Sequence, residues 1–142
     1  MKKFKVNQPE KNKKYQSRAG AYALIIKDNL LAVVKTETGY FLPGGGLEKG
    51  ESKKDCLIRE CREEIGLEIN IIKKLSQGLY YFFSTTKNID MASLGHFYQV
   101  EIKKVLNIPT EKNHQLIWLK PSKAIELLFL ENQKEAVRLF VK

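Results

Sequence analysis

The sequence has few cysteines and histidines, and these shortages limit the chemistry that it supports. Its two cysteines, Cys56 and Cys61, lie five residues apart in a segment that we predict to be helical. Their side chains would point to different sides of that helix, so a disulfide between them is disfavoured and a reducing compartment suits both thiols. The only histidines, His96 and His114, are too few and too separated to form a zinc site.

Long apolar segments are also missing. No stretch approaches the roughly 20 apolar residues that span a bilayer, and the N-terminus has no apolar segment of signal-peptide length. We therefore expect a cytoplasmic protein with no membrane partner. The 142 residues, of which 43% are hydrophobic, suffice for a core without disulfides. We expect one domain over residues 1–142, because no repeat or low-complexity linker divides the chain.

Acidic residues are scarce near the N-terminus of this basic chain. The formal net charge is +9, and Glu10 is the only acid among the first twenty residues. The basic residues there are Lys2, Lys3, Lys5, Lys11, Lys13, Lys14 and Arg18. We predict that residues 1–14 form a mobile basic arm, which either attracts a polyanion such as RNA or is simply a solvated tail. The general behaviour of charged tails favours the solvated tail.

Apolar runs and turn residues predict most of the secondary structure. A buried hairpin at the centre of a sheet is predicted from Ala19 to Ile26 and Leu30 to Val34, with its turn at Asp28 and Asn29. Further strands are predicted at Tyr40–Leu42, Ile69–Ile72, Leu75–Phe83, Leu94–Ile102 and Gln115–Leu119, with a polar loop at Ser84–Ser93. Late helices are predicted at Pro121–Leu130 and, after a cap by Asn132 with Glu135, up to Val141. Strands mixed with three helices indicate an α/β layered sandwich.

The clearest helix signals surround an acidic segment. Ser52 and Asp55 form a capping box, and Gly66 stands where a left-handed helix cap belongs, so a helix is predicted from about Lys53 to Ile65. Its apolar stripe is formed by Leu57, Cys61 and Ile65, with Cys56 and Ile58 beside it.

Three carboxylates recur at helical spacing in the second half of this helix. Glu60, Glu63 and Glu64 would lie on one side, within contact of each other, with Glu60 and Glu64 at the edge of the apolar stripe and Glu63 further out. Partly buried charges about 4 Å apart repel by roughly 4 kcal/mol at an intermediate dielectric. A bound divalent cation would reverse the sign of this interaction, and hard oxygen ligands suit Mg²⁺ or Mn²⁺.

The segment from Gly45 to Leu67 resembles the Nudix box, G-x5-E-x7-R-E-U-x-E-E-x-G-U with U a bulky aliphatic residue. Every charged and glycine position matches, and Cys61 is the one departure, at an aliphatic position where a free cysteine packs as a small hydrophobe. The preceding Tyr40–Gly46 resembles the strand and glycine turn that lead into the box. The chain is thus similar to MutT-like Nudix hydrolases, and the resemblance implies an α/β/α sandwich with a central mixed sheet.

The resemblance also implies roles for individual residues. Arg59 would orient the acids by gripping Glu51 or Glu63, and the general base would be Glu63, Glu64 or a downstream acid such as Glu111, with His114 as a less conventional choice. The implied metal ligands are the carbonyl oxygen of Gly45 and the carboxylates of Glu60, Glu63 and Glu64. Candidate substrate contacts are Arg18, Glu111 and Phe83, although the first two are also explained as an exposed strand-end arginine and a surface loop acid.

The reaction implied is hydrolysis of a nucleoside diphosphate linked to another group. Signatures of the coenzyme A and ADP-ribose subfamilies are not matched, which leaves nucleoside triphosphates, oxidised ones included, cleaved to a monophosphate and pyrophosphate. One alternative is removal of pyrophosphate from the 5′ end of RNA, and another is a Nudix-fold nucleotide-binding module without catalysis. The expected cofactor is Mg²⁺, with Mn²⁺ as a substitute, the expected partner is a small nucleotide, and the expected assembly is a monomer or homodimer.

Overall fold

The computed structural model describes residues Met1–Lys142 and contains nine strands and three helices. The strands are β1 (Lys2–Lys5), β2 (Gln16–Leu24), β3 (Ile26–Lys27), β4 (Leu30–Lys35), β5 (Tyr40–Phe41), β6 (Gly44–Gly46), β7 (Leu67–Ser84), β8 (Ile89–Val105) and β9 (Gln115–Leu119). The helices are α1 (Lys53–Ile65), α2 (Pro121–Leu127) and α3 (Glu131–Val141). None of the three is long and apolar enough to cross a membrane.

The strands form two sheets. The larger one is mixed and has the order β1-β7-β8-β2-β6, with parallel pairs β1–β7 and β2–β8. In the smaller sheet, β4 pairs antiparallel with β3, β5 and β9. The apolar run predicted as one hairpin is therefore divided, because β2 belongs to the larger sheet and only β3 pairs with β4. The turn itself is where it was predicted, with positive φ angles of 53° at Asp28 and 64° at Asn29, as a tight hairpin requires.

The core has two halves, one on each face of the sheets, and β2 contributes to both. Its alternate residues Ala21 and Ala23 face α1, while Tyr22 and Leu24 face α2 and α3. This alternation follows from the period of two along a strand. The α/β/α sandwich expected from the sequence is confirmed.

Helix α1 begins and ends as predicted. The hydroxyl oxygen of Ser52 accepts a hydrogen bond from the backbone N–H of Asp55 at 3.1 Å, and Gly66 has the left-handed φ of 64°. Cys56 and Cys61 are free and fully buried against the sheet. Ile58, expected beside the apolar stripe, is exposed instead.

The β7–β8 hairpin is longer than the sequence predicted. One strand, interrupted by bulges, replaces the two strands expected between Ile69 and Phe83. The polar loop expected at Ser84–Ser93 shrinks to residues 85–88, since β8 already begins at Ile89. Backbone pairing across the hairpin thus includes polar residues that read as loop in the sequence.

The C-terminal helices also differ from the prediction. Helix α2 ends at Leu127, before the expected Leu130, and α3 has Leu130 as its N-terminal cap instead of Asn132. The Asn132 side chain is buried and donates hydrogen bonds to the carbonyl oxygens of Gly78 at 3.2 Å and Ser93 at 3.3 Å. A contact across the core has taken the place of a local cap.

The basic N-terminus is in part an edge strand, which corrects the prediction of a mobile arm over residues 1–14. Strand β1 runs parallel to β7, and Asn7 then exchanges two hydrogen bonds with the backbone of Tyr81. Lys13 forms ion pairs with Glu10 and Asp90. Much of the N-terminal charge is therefore attached to the larger sheet.

Candidate active site

A glycine turn and the second half of α1 form the acidic end of the molecule. Strand β6 consists of three glycines paired with β2. A Cβ atom at Gly45 would overlap the Glu60 carboxylate, and one at Gly46 would lie 2.8 Å from Nε of Arg18. The ends of these flexible side chains could move aside, but a Cβ atom at Gly44, where φ is 140°, would overlap the backbone carbonyl oxygen of Ala21, so glycine is needed at Gly44.

Arg59 donates hydrogen bonds to three carboxylates in what we call the Arg59 group: Arg59, Glu51, Glu60 and Glu63. A fourth carboxylate, that of Glu48, lies 3.6 Å from its Nη1. Its Nε and Nη2 donate to the two carboxylate oxygens of Glu51 at 2.7 and 3.0 Å, a bidentate pair. Its Nη1 donates to Glu60 at 2.8 Å and to Glu63 at 3.2 Å. Hydrogen bonds from Arg59 lower the pKa of Glu51 to about 2. The guanidinium thus holds together acids from the loop before α1 and from α1 itself.

A second cluster, which we call the Glu64 group, contains Glu64, Glu111 and His114. Nδ1 of His114 lies 3.0 Å from Glu64 Oε2 and 3.2 Å from Glu111 Oε2. The other oxygen of Glu64 accepts a hydrogen bond from the backbone N–H of Gly44 at 3.2 Å. Burial raises the pKa of Glu64 to about 8. No arginine or lysine lies within ion-pairing distance of this buried carboxylate.

The loop before β9 brings Glu111 to this cluster. The backbone N–H of Glu111 donates to the carbonyl oxygen of Glu63 at 3.1 Å, and Leu106 N–H donates to Gly66 at 2.8 Å. These bonds use carbonyl groups that the end of a helix leaves free. The sequence offered Glu111 and His114 only as distant candidates, because their approach to Glu64 depends on this packing of a loop on the end of α1.

The donor set of the two groups fits a hard divalent cation. Three ligand atoms of the Glu64 group lie within 4.8 Å of one another. Burial also raises the pKa of Glu60, although the hydrogen bond from Arg59 acts in the opposite direction. Clustered carboxylates with at most one imidazole suit Mg²⁺ or Mn²⁺ better than zinc. The carbonyl oxygen of Gly45, the implied backbone ligand, lies 3.5 Å from the Cys56 thiol, a weak donor.

A cleft of about 340 Å³ opens beside Glu64. Arg18, the glycine turn and the loop of His114 also line it. Glu60, Glu63 and Glu111 do not line this cleft. Phe83 is 52% exposed and lies away from it, whereas its neighbour Phe82 lines an adjoining cavity. The structure therefore places Arg18 at the site, Glu111 beside Glu64, and Phe83 elsewhere.

One buried amide, which no sequence pattern marks as functional, holds the start of the glycine turn. Oε1 of Gln133, on α3, accepts the backbone N–H of Leu42 at 2.8 Å, and Gln133 is fully buried. Two residues later, Gly44 donates to Glu64 from the opposite layer. The turn is thus fixed between α3 and α1. No local pattern signals this contact, since Leu42 and Gln133 are 91 residues apart in the chain.

This α/β/α domain carries clustered carboxylates opposite a glycine turn, and comparison with known proteins identifies its family. The family model of the NUDIX domain matches residues 15–140. The chain therefore belongs to the Nudix family, as the resemblance of its acidic segment implied.

Individual relatives agree with this assignment. "Nudix hydrolase 21, chloroplastic" of Arabidopsis thaliana is 29% identical over 113 residues, which cover 79% of this chain and 55% of the relative. An RNA pyrophosphohydrolase of Campylobacter jejuni subsp. doylei is 50% identical over 42 residues, 29% of this chain and 27% of that protein. The chain thus matches about half or less of the length of these curated relatives. A solved NUDIX hydrolase from Nitrosomonas europaea has the same fold, with a TM-score of 0.74, 15% identity and 89% of each chain covered.

Proposed function

We propose that the chain is a Mg²⁺-dependent pyrophosphohydrolase that cleaves nucleoside triphosphates to a monophosphate and pyrophosphate, with Mn²⁺ as a substitute. The observation that carries the proposal is the buried Glu64 carboxylate, which has no arginine or lysine partner and lines a cleft together with Arg18. A cation-dependent site next to a guanidinium suits a substrate with several phosphates. Membership of the Nudix family supports the reaction class.

The residues that would hold the cation are the carboxylates of Glu60, Glu63 and Glu64 and the carbonyl oxygen of Gly45. Such a cation supplies neutralisation of the phosphate charge and a lower pKa for attacking water. Arg59 keeps Glu60 and Glu63 in position through its hydrogen bonds of 2.8 and 3.2 Å.

The reaction itself needs one proton acceptor. Water attacks a phosphorus atom of the substrate, a new P–O bond forms, and the bridging P–O bond breaks so that its electron pair leaves with pyrophosphate. The proton released by the water goes to a carboxylate of Glu63, Glu64 or Glu111. His114 holds the last two together and is in a position to take the proton onward. Arg18, which also lines the cleft, would bind phosphate oxygens.

The 5′-triphosphate end of RNA is a second candidate substrate. It is favoured by the match with a curated RNA pyrophosphohydrolase over 42 residues at 50% identity. The N-terminal lysines give it less support than the sequence suggested, because β1 is at the opposite edge of the larger sheet from β6. RNA bound through several lysines should lose affinity steeply with added salt, whereas a triphosphate bound mainly through a cation should respond less.

The test is release of pyrophosphate and phosphate from nucleoside triphosphates, ADP-ribose, dinucleoside polyphosphates and 5′-triphosphorylated RNA, with Mg²⁺ or Mn²⁺. The proposal predicts turnover of a triphosphate by the wild type and its loss in Glu64→Gln. Preference for the RNA would establish the second candidate. If a folded wild-type protein cleaved none of these compounds, the catalytic proposal would be wrong and a binding module would replace it.

A further inference from the structure

A cavity of about 360 Å³ lies between the C-terminal half of α3 and the larger sheet. We call it the Lys73 cavity, after the lysine of β7 that lines it. Helix α3 contributes Ala136, Leu139 and Phe140 to its lining, whereas the catalytic cleft meets this helix only at its N-terminal cap, Leu130. No residue lines both spaces, so the Lys73 cavity is separate from the cleft.

The polar residues of the Lys73 cavity come from the sheet. Lys2 of β1 is the cross-strand partner of Ser76, and Lys73 is the partner of Gln99. Cross-strand partners carry their side chains on the same face of a sheet. Gln99 also pairs with Leu24, a core residue on the side of α2 and α3. The register therefore places two amines, an amide and a hydroxyl under the C-terminal half of α3.

The two lysines of the Lys73 cavity are not neutralised by other groups of the protein. Neither Lys2 nor Lys73 forms an ion pair with a carboxylate. No aspartate or glutamate lines the cavity. Two positive charges beside one cavity lower the energy of an anion placed between them. The electrostatics of the cavity therefore favour an anionic ligand.

One hydroxyl group in the lining lacks a hydrogen bond. Ser76 is 1% exposed, and its Oγ has no partner in the structure. Buried hydroxyl groups are usually satisfied by protein, ordered water or a bound group, because an unpaired one is costly. Since Lys2 is the cross-strand neighbour of Ser76, an anion that contacts the Lys2 ammonium group also comes close to this hydroxyl. The hydroxyl can then donate a hydrogen bond to an oxygen of the anion.

Apolar side chains form most of the remaining lining. Leu75, Leu139 and Phe140 are half-buried, so part of their surface is still in contact with water. An apolar group bound in the cavity would remove that surface from water, which is favourable. An inorganic anion would contact the lysines and leave the apolar surface uncovered. The lining thus matches a molecule with an acidic head and an apolar tail.

We propose that the Lys73 cavity binds a small amphipathic carboxylic acid. Its carboxylate lies between Lys2 and Lys73 and accepts a hydrogen bond from Ser76, and its apolar tail packs against Leu139 and Phe140. A carboxylate fits the head, because its two oxygens can accept hydrogen bonds from both ammonium groups and from one hydroxyl. This ligand site is additional to the catalytic site and does not depend on which substrate is hydrolysed.

The experiment is a titration of the full chain in EDTA, so that no cation at the catalytic site contributes, followed through the backbone amide signals in ¹H–¹⁵N NMR spectra. The probes are hexanoate, 1-hexanol, which has the tail without the charge, and acetate, which has the charge without the tail. Hexanoate should shift the signals of Ser76, Gln99 and Phe140 in a saturable manner. It should bind about tenfold more tightly than either of the other probes, because only hexanoate uses both parts of the cavity.

Four variants locate the binding. Lys73→Met and Lys2→Met should each weaken hexanoate binding about tenfold, the effect of losing one hydrogen bond with a charged group. Lys3→Met is the matched control and should bind hexanoate like the wild type, because side chains alternate along β1 and Lys3 lies on the other face of the sheet. Ser76→Ala should weaken binding severalfold without lowering the melting temperature, since its hydroxyl has no partner in the free protein.

Absence of saturable hexanoate binding by the wild type would overturn the proposal. Equal affinities for the three probes, or equal losses in the Lys3 and Lys73 variants, would overturn it as well. Shifts confined to residues of the catalytic cleft would have the same consequence, because the anion would then be bound there. A protein that binds hexanoate with the predicted pattern but hydrolyses no nucleotide would refute the catalytic proposal and leave this site standing.

Discussion

Two acidic clusters meet at the end of α1, and adjacent residues of the helix belong to different ones. In the Arg59 group, one guanidinium makes hydrogen bonds of 2.7 to 3.2 Å with three carboxylates, and the pKa of Glu51 falls to about 2. In the Glu64 group, two carboxylates share one imidazole, and burial raises the pKa of Glu64 to about 8. Glutamate therefore has two different roles in this helix, and the groups that it contacts decide which role each residue has. The first cluster is held together by its guanidinium, and the second contains a buried carboxyl group whose proton a cation would replace.

Neutralising one acid in each cluster should have the largest effect on turnover. Glu64→Gln should lower turnover about 10²–10⁴-fold, the range expected for loss of a general base or of an equally central carboxylate. Glu63→Gln should lower it only about tenfold, because Glu63 is 51% exposed and its partner Arg59 retains two other carboxylates. Initial rates of pyrophosphate release at saturating Mg²⁺ measure the turnover of both variants. The reverse order would place the reactive carboxylate in the Arg59 group.

The two clusters should also respond to pH with opposite signs in the metal-free protein. The pKa of Glu64 is raised from 4.5 to about 8 on folding, so its protonated form favours the folded state, and stability is lost as the pH rises from 4.5 to 8. The loss should reach up to about 4 kcal/mol, and Glu64→Gln should abolish it. The pKa of Glu51 is lowered from 4.5 to about 2, so its contribution is present above pH 4.5 and is lost as the pH falls through 2.

Urea unfolding with EDTA at pH 5 and pH 8 measures the first of these effects. An equal fall in stability in wild type and Glu64→Gln would show that another group titrates in this range. Acid unfolding of Glu51→Gln checks the second effect, since the variant should lose less stability than the wild type between pH 4.5 and 2.

Removal of the guanidinium tests whether the Arg59 group is a structural framework. Arg59→Met should lower the free energy of unfolding by about 2 kcal/mol, between the values for exposed and buried ion pairs, because three acids lose their shared partner. Arg59→Lys should retain only part of the stability that Arg59→Met loses, since an ammonium group cannot bind Glu51 in a bidentate manner. Arg62→Met is the matched control and should have almost no effect, because Arg62 is 50% exposed and its single contact to Glu68 is 3.3 Å long. Equal losses in the Arg59 and Arg62 variants would contradict the framework role.

The smallest effect is expected from the contact that holds the glycine turn. Gln133→Met leaves the buried N–H of Leu42 without an acceptor, which should lower stability by about 1–2 kcal/mol and turnover severalfold with little change in KM. Asn132→Leu is the control: it should also lower stability, because Gly78 and Ser93 lose a donor, but turnover should stay near that of the wild type. If both variants retained full turnover below their melting temperatures, Gln133 would matter for folding alone.

The features that the sequence predicted well are those specified by neighbouring residues. Helix α1 has the predicted bounds because its cap at Ser52 and its left-handed end at Gly66 are local signals. The turn at Asp28 and Asn29 is correct for the same reason. Family resemblance supplied the arrangement of layers, which no single segment encodes.

The features that could not be predicted from the sequence depend on contacts between distant parts of the chain. Asparagine is common at helix N-caps, yet the side chain of Asn132 joins α3 to the larger sheet. Phe82 and Phe83 are the same residue type and are adjacent in the sequence. Only the register of β7 decides which of them faces the cavity that adjoins the cleft. His114 approaches Glu64 across 50 residues of sequence, so its place in the acidic cluster follows from loop packing and not from spacing.

The central claim is that Glu64 is a ligand of a divalent cation, and calorimetric titration of the wild-type protein and Glu64→Gln with Mn²⁺ tests it most directly. We predict saturable binding by the wild type at pH 7, accompanied by proton release because the cation replaces the proton on Glu64, and much weaker binding without that release in the variant. Identical Mn²⁺ binding by the two proteins, or none by the wild type, would contradict the account.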